Sequence, residues 1–296
     1  MRKIILILFI SIFFFGCGYM DEEGKDENVA DPIPLEDTAL ETEYEGLNNS
    51  AVLSGGAVGL NEFDNAVLQK RIPVTLINAE PNFKLLKSSL TRKNESITLS
   101  VDWITEIRNQ TSNKAFCGIK FEGVQFKAGD ENLTAVSIIS RLIGSIGIAD
   151  SEDFASCLAP GQSGYIIQKV TAADLDLFEN LTRVEVAGIT VESVSVIDHN
   201  IKLIPSAYTV DSGKIKAEIT NTDSDTGYIF PGDSYFILLD SEGFALYYGK
   251  FSGLMAVKLE TGQTGAIETT EISYGGSATK MRIFVDLGVD AWGGVL

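Results

Sequence analysis

Histidine occurs once in the 296 residues, cysteine three times, tryptophan twice and proline seven times. With His199 as the sole imidazole, a Ser-His-Asp triad has one candidate base, and no serine is marked as its partner. Asp198 beside it leaves an acid–base pair as a remote hydrolase alternative to a plain surface histidine. Zinc sites favour several His or Cys close together, and none cluster in the sequence; no cofactor and no catalytic residue is expected. Cations are scarce too. The 23 Lys and Arg stand against 41 Asp and Glu, a net charge of −18, so nucleic acid is not an expected partner. Long helical periodicity is nearly absent, and no apolar run approaches the ~20 residues that cross a bilayer as a helix.

The longest apolar run lies at the start. Arg2 and Lys3 precede Ile4 to Phe15, interrupted only by Ser11, and Gly16 follows. A basic n-region, a short h-region and a small residue predict a signal peptide over residues 1–16, removed on export; an uncleaved anchor helix is the alternative. Phe14-Phe15-Gly16-Cys17 resembles the lipobox of bacterial lipoproteins. That resemblance implies that Cys17 carries a diacylglycerol and becomes the new N-terminus, with a further palmitate-type chain in the matured form. The membrane would then be a partner, since acyl chains add about 0.8 kcal/mol per buried CH₂. Gly18 is not the Asp that retains some lipoproteins at the inner membrane, which favours the outer membrane and leaves its periplasmic or surface face open.

Residues 17–70 are expected to form the lipidated N-terminus and a flexible linker. Between Asp21 and Glu45 eleven Asp or Glu stand against Lys25, with Pro32 and Pro34. Such a segment buries too little apolar surface to offset its ordering entropy, so it reads as a self-repelling tether. An acidic interaction tail is the alternative. "NNSAVLSGGAVG" extends it, with room for a short strand or helix before Pro73.

Beyond it, runs such as "RIPVTLIN", "ESITLSVDWITEI", "RVEVAGITVESVSVI" and "SYFILL" are short, β-branched and aromatic, bounded by Gly, Asn, Asp and Ser. They predict an all-β fold of the sandwich class. "TAADLDLFENLT", residues 171–182, is the one stretch that predicts a turn or two of helix.

The strands repeat. "FKLLKSSLTR" at 83–92 aligns with "IKLIPSAYTV" at 201–210, and "TEIRNQTSN" with "AEITNTDSD", placing Asn109 opposite Asn221. "APGQSG" at 159–164 aligns with "ETGQTG" at 260–265, and "TRVEV" at 182–186 with "TKMRI" at 279–283. Four matches in one order predict two tandem β-sandwiches, residues 71–198 and 199–296. "KIKAEITNTDSD", "YFILLDSEGFAL" and "LETGQTGAIE" resemble the bacterial FxLYD-type domain, which implies an immunoglobulin-like sandwich. Leu239-Asp240-Ser241-Glu242-Gly243 supplies its hairpin in the second copy, whereas "FKAGDEN" stands at that place in the first. These motifs are turns, so they bear on fold and not on activity.

Cys117 and Cys157 both fall in the first copy, after the Asn109 turn and before the Pro160 turn. In an exported chain they are expected to form a disulfide, with two buried free thiols as the alternative. Asn221, Asp223 and Asp225 alternate like calcium-loop ligands, but Gly227 comes one position late and Gly232 stands where a bidentate Glu is needed, which favours a solvated Asx turn. Tyr247, Tyr248 and Trp103 are candidate ligand-binding aromatics; the adjacent tyrosines must point to opposite faces of a strand. Trp292 in "DAWGGVL" is a candidate cap or anchor.

The expected role is non-enzymatic: a binding or structural module of the cell envelope that contacts another envelope or surface protein. A small-molecule or glycan binder is the rival. An unpaired strand edge would favour the first, and an aromatic-lined concavity the second.

Overall fold

The computed structural model describes residues 50–54, 60, 63, 67–93, 100–144, 157–172, 176–196, 203–222 and 224–285, all within one compact unit. Residues 1–49, which include Cys17 and the acidic stretch, lie outside the described residues, as do Asn94, His199, Asp223 and Trp292.

The structure is all-β. In chain order come β1 (Ser50–Ser54), β2 (Val67–Arg71), β3 (Val74–Leu76), β4 (Phe83–Lys93), β5 (Ser100–Asn109) and β6 (Lys114–Cys117). β7 (Lys120–Glu122), β8 (Gln125–Ala128), β9 (Glu131–Asn132), β10 (Ala135–Ile143), β11 (Cys157–Leu158) and β12 (Ser163–Ala172) follow. A helix of one turn, α1 (Leu177–Asn180), fulfils the helical expectation: Asp176 caps it, accepting from the Phe178 N–H at 3.0 Å, and Leu177 and Phe178 are buried. Then come β13 (Arg183–Val186), β14 (Gly188–Thr190), β15 (Ser193–Val196), β16 (Leu203–Asp211), β17 (Lys214–Asn221) and β18 (Gly227–Ile229). The last are β19 (Tyr235–Leu239), β20 (Ala245–Lys250), β21 (Val257–Leu259), β22 (Thr264–Glu268) and β23 (Lys280–Phe284).

Three apolar layers hold the sheets together. One face of the sheet β10-β12-β5-β4-β2 places Leu90, Trp103, Ile107 and Val170 against Phe116, Phe126 and Val184 from the smaller sheets. Its other face places Ile104, Tyr165 and Ile167 on Ile237, Leu239 and Phe284 of the sheet β1-β23-β19-β20. The far side of that second sheet packs Phe236, Leu238 and Ile283 on Ile215, Ile219 and Ile267 of β16-β17-β22. Each fully buried side chain of this size contributes about 1.5–3 kcal/mol. The two central sheets thus bury both faces, which is why every residue of β19, "YFILL", is buried.

The aligned segments occupy like places. The order β12-β5-β4 matches β22-β17-β16, and β3-β13-β8-β9 matches β1-β23-β19-β20. The ladders β4·β5 and β16·β17 each break register near their starts, between Leu85 and Ser88 and between Pro205 and Ala207. "FKAGDEN" forms the hairpin of β8 and β9, so the chain does turn back at that place.

Several residues of the stretch 17–70, expected to be a flexible linker, take part in the fold. Ser50 to Ser54 pair antiparallel with β23, Leu60 and Phe63 are 3 % and 4 % exposed in the last apolar layer, and β2 begins at Val67. The sparse large apolar residues among the glycines pin this stretch to the second sheet. Where β3 runs parallel to β13, β1 runs antiparallel to β23.

Candidate functional site

The motifs that define the repeat build two matching corners. Asn109 and Asn221 are fully buried. The Asn109 amide donates to the carbonyls of Lys114 at 2.7 Å and Leu158 at 3.1 Å, and that of Asn221 to Asp225 at 2.7 Å and Leu259 at 2.9 Å. The side-chain oxygen of Gln162 accepts from the Ala159 N–H, and that of Gln263 from the Glu260 N–H. Gly161 and Gly262 take φ of 69° and 73°, a left-handed conformation that favours glycine. Asn221 therefore spends its amide on main-chain carbonyls, as a strand-end clamp. Among the described residues no three His, Cys, Asp or Glu gather as a metal-holding group.

Cys117 and Cys157 are disulfide-bonded, directly opposite each other in the β6·β11 pair and almost fully buried. Asp240 fixes the β19–β20 hairpin, its Oδ1 accepting from the N–H groups of Glu242 and Phe244, each at 2.9 Å. Trp103, a candidate for ligand contact, is instead core: it is 1 % exposed and its Nε1 donates to Ser88 Oγ at 2.7 Å.

Tyr247 and Tyr248 do gather other chemistry around them. Tyr247 packs on the last apolar layer and Tyr248 on the middle one, on opposite faces of β20. β20 is an edge of its sheet, and there the two rings come within 6.2 Å of each other at an interplanar angle of 27°. Tyr274 lies 5.5 Å from Tyr247, and Lys93 Nζ stands 3.8 Å over the Tyr274 ring. On the other side, Arg141 donates to the buried Tyr235 hydroxyl at 3.2 Å, and Lys250 Nζ lies 4.8 Å from that ring. Asp102, half-buried on β5, sits across the ladder from Lys169.

No protein-family model matches this chain, and no curated protein matches it.

The electrostatics of the cluster follow from burial. Loss of water raises the Asp102 carboxyl above its ordinary range, against the pull of Lys169 and Lys93. Burial, with Tyr274, Tyr248 and Asp102 nearby, pushes the Tyr247 hydroxyl up to about 12. Tyr248 is raised by burial and by Asp102. Near neutral pH Tyr247 and Tyr248 are hydrogen-bonding hydroxyls. Lys93, Arg141 and Lys169 are exposed, and no ion pair joins them to a carboxylate among the described residues; Lys250 lies 3.6 Å from Asp233. A cationic rim thus surrounds aromatic faces in a strongly acidic chain. The sequence pointed to Tyr247 and Tyr248 alone, because Lys93, Asp102, Arg141, Lys169 and Tyr274 come from separate strands and one loop, with no shared spacing.

A second feature is the outer edge of β10. This nine-residue strand, "AVSIISRLI", ends its sheet, and no described strand pairs with its far side. Arg141 is its one charge, and Val136 is 64 % exposed. Other edges are blunted: β2 carries Lys70 and Arg71, β16 carries Pro205, and the β20 carbonyl of Ala245 accepts from Gln69 and Ser89.

Proposed function

We propose that the protein is an exported lipoprotein, anchored through Cys17 and an acidic tether, that presents two tandem FxLYD-like sandwiches and works without catalysis, by contact with another envelope or surface protein. The observation that carries the contact is the β10 edge. A long strand at a sheet edge, with no described strand on its far side, little charge and no proline, is a template for an added strand, which main-chain hydrogen bonds hold and alternate side chains select. The repeated Asn and Gln corners support the duplication, and the buried disulfide suits an oxidising compartment.

A photo-crosslinker at Ser140 should capture a discrete partner in the cells that make the protein. Val136→Lys places a charge on an exposed position of the edge and should cut that capture at least about tenfold, a loss of roughly 1.4 kcal/mol, with the fold unchanged by circular dichroism. Undiminished capture by the Lys variant would remove β10 from the interface. For the anchor, Cys17→Ala should move the protein from the membrane pellet to the soluble fraction; a variant that still sediments would end the lipoprotein reading.

A further inference from the structure

We propose that the rim formed by Tyr247, Tyr248 and Tyr274 is a binding site for an acidic sugar, a saccharide ring that bears a carboxylate. This site is separate from the β10 contact and does not depend on it. Tyrosine offers an apolar ring face with a polar tip, the combination that covers the C–H face of a sugar and meets its hydroxyls at the edge. Here Tyr247 and Tyr274 lie 5.5 Å apart and Tyr248 stacks beside them. All three are half-buried, held by packing yet still partly accessible.

The surrounding charges select the ligand. Lys93 and Lys169 both lie close enough to Asp102 to act on its charge, and Arg141 acts likewise on Tyr248. Among the described residues these three cations outnumber Asp102, the one carboxylate shown to act on this cluster, and their field draws in an anion. Asp102 argues against an acidic peptide strand, whose successive carboxylates it would repel. A sugar uses it, because a ring hydroxyl donates to the carboxylate while the ring's own carboxylate meets the lysines. Asp102 is also a costly residue at this depth, since burial disfavours its charge, and a polar ligand would repay that cost.

The test titrates the full chain with trigalacturonate and with sialyllactose, beside the methyl ester of the first and lactose for the second, by isothermal calorimetry. Saturable binding of at least one acidic sugar is expected, at least about tenfold tighter than its neutral counterpart. Lys93→Gln with Lys169→Gln should erase that preference, and Tyr248→Ala should weaken binding of both forms. Asp102→Asn should weaken the sugar while raising thermal stability near neutral pH, which separates loss of a ligand contact from loss of fold. Binding of neither acidic sugar, equal affinity for the neutral forms, displacement by equimolar acetate, or indifference to all three variants would overturn the proposal.

Discussion

The double variant Cys117→Ser with Cys157→Ser is expected to lose about 3–4 kcal/mol of stability, the chain-entropy value for a crosslink closing a loop of this length. The bridge spans a sequence separation of 40 and encloses β7 through β10. Its own strand pair is minimal: β11 has two residues, Cys157 opposite Cys117 and Leu158 opposite Phe116. The pair at the corresponding place beside β17 and β22, β18·β21, holds three residue pairs without a crosslink. Its excursion is shorter, running from Ile229 to Val257. Longer loops gain more from closure. The excursion between β6 and β11 therefore gains more from a crosslink than the one between β18 and β21. Urea unfolding checks it, with the wild type in reductant expected to fall to the variant's midpoint. If the midpoint does not move, the bridge does not limit the unfolded state.

Arg282→Ala should cost a similar amount, about 3–5 kcal/mol, because it takes a buried cation away from a largely buried carboxylate. Arg282 on β23 is 3 % exposed and its Nη1 donates to Glu106 Oε1 on β5 at 3.1 Å. The pair crosses the middle apolar layer, so it joins the sheet β10-β12-β5-β4-β2 to the sheet β1-β23-β19-β20. Replacing both partners together, Glu106→Leu with Arg282→Met, should recover most of the loss or exceed the parent, since a well-packed apolar pair avoids the desolvation of two charges. A double-mutant cycle in guanidinium measures the coupling. Additive losses from the single and double variants would mean that the ion pair carries no special weight in this layer.

The strand content and the two corners were legible because local chemistry makes them. β-branched runs fit a pleated surface, and an Asn able to bond nearby carbonyls needs only its own turn. Layering was harder to read. "YFILL" in β19 is a continuous apolar run, the mark of a strand covered on both faces, yet it does not say which sheet covers it. β1 was hidden further, since "SAVLS" is short and small and its partner lies at the other end of the sequence. The rim around Asp102 could not be read at all: Lys93, Arg141 and Lys169 look like ordinary surface cations until β4, β10 and β12 bring them beside the tyrosines.

The pairing of Ser50 with Phe284 sets an order of assembly. The strand synthesised first among those described waits for the one synthesised last, and β2 to β22 are made in between. Sheet β1-β23-β19-β20 therefore stays incomplete until the C-terminal strand is available, whereas β4, β5 and β12 can find one another earlier. Contacts so distant in sequence close slowly. A nascent or truncated chain that ends before Lys280 leaves β1 without its ladder and β19 with an open side, a ready surface for mispairing between copies.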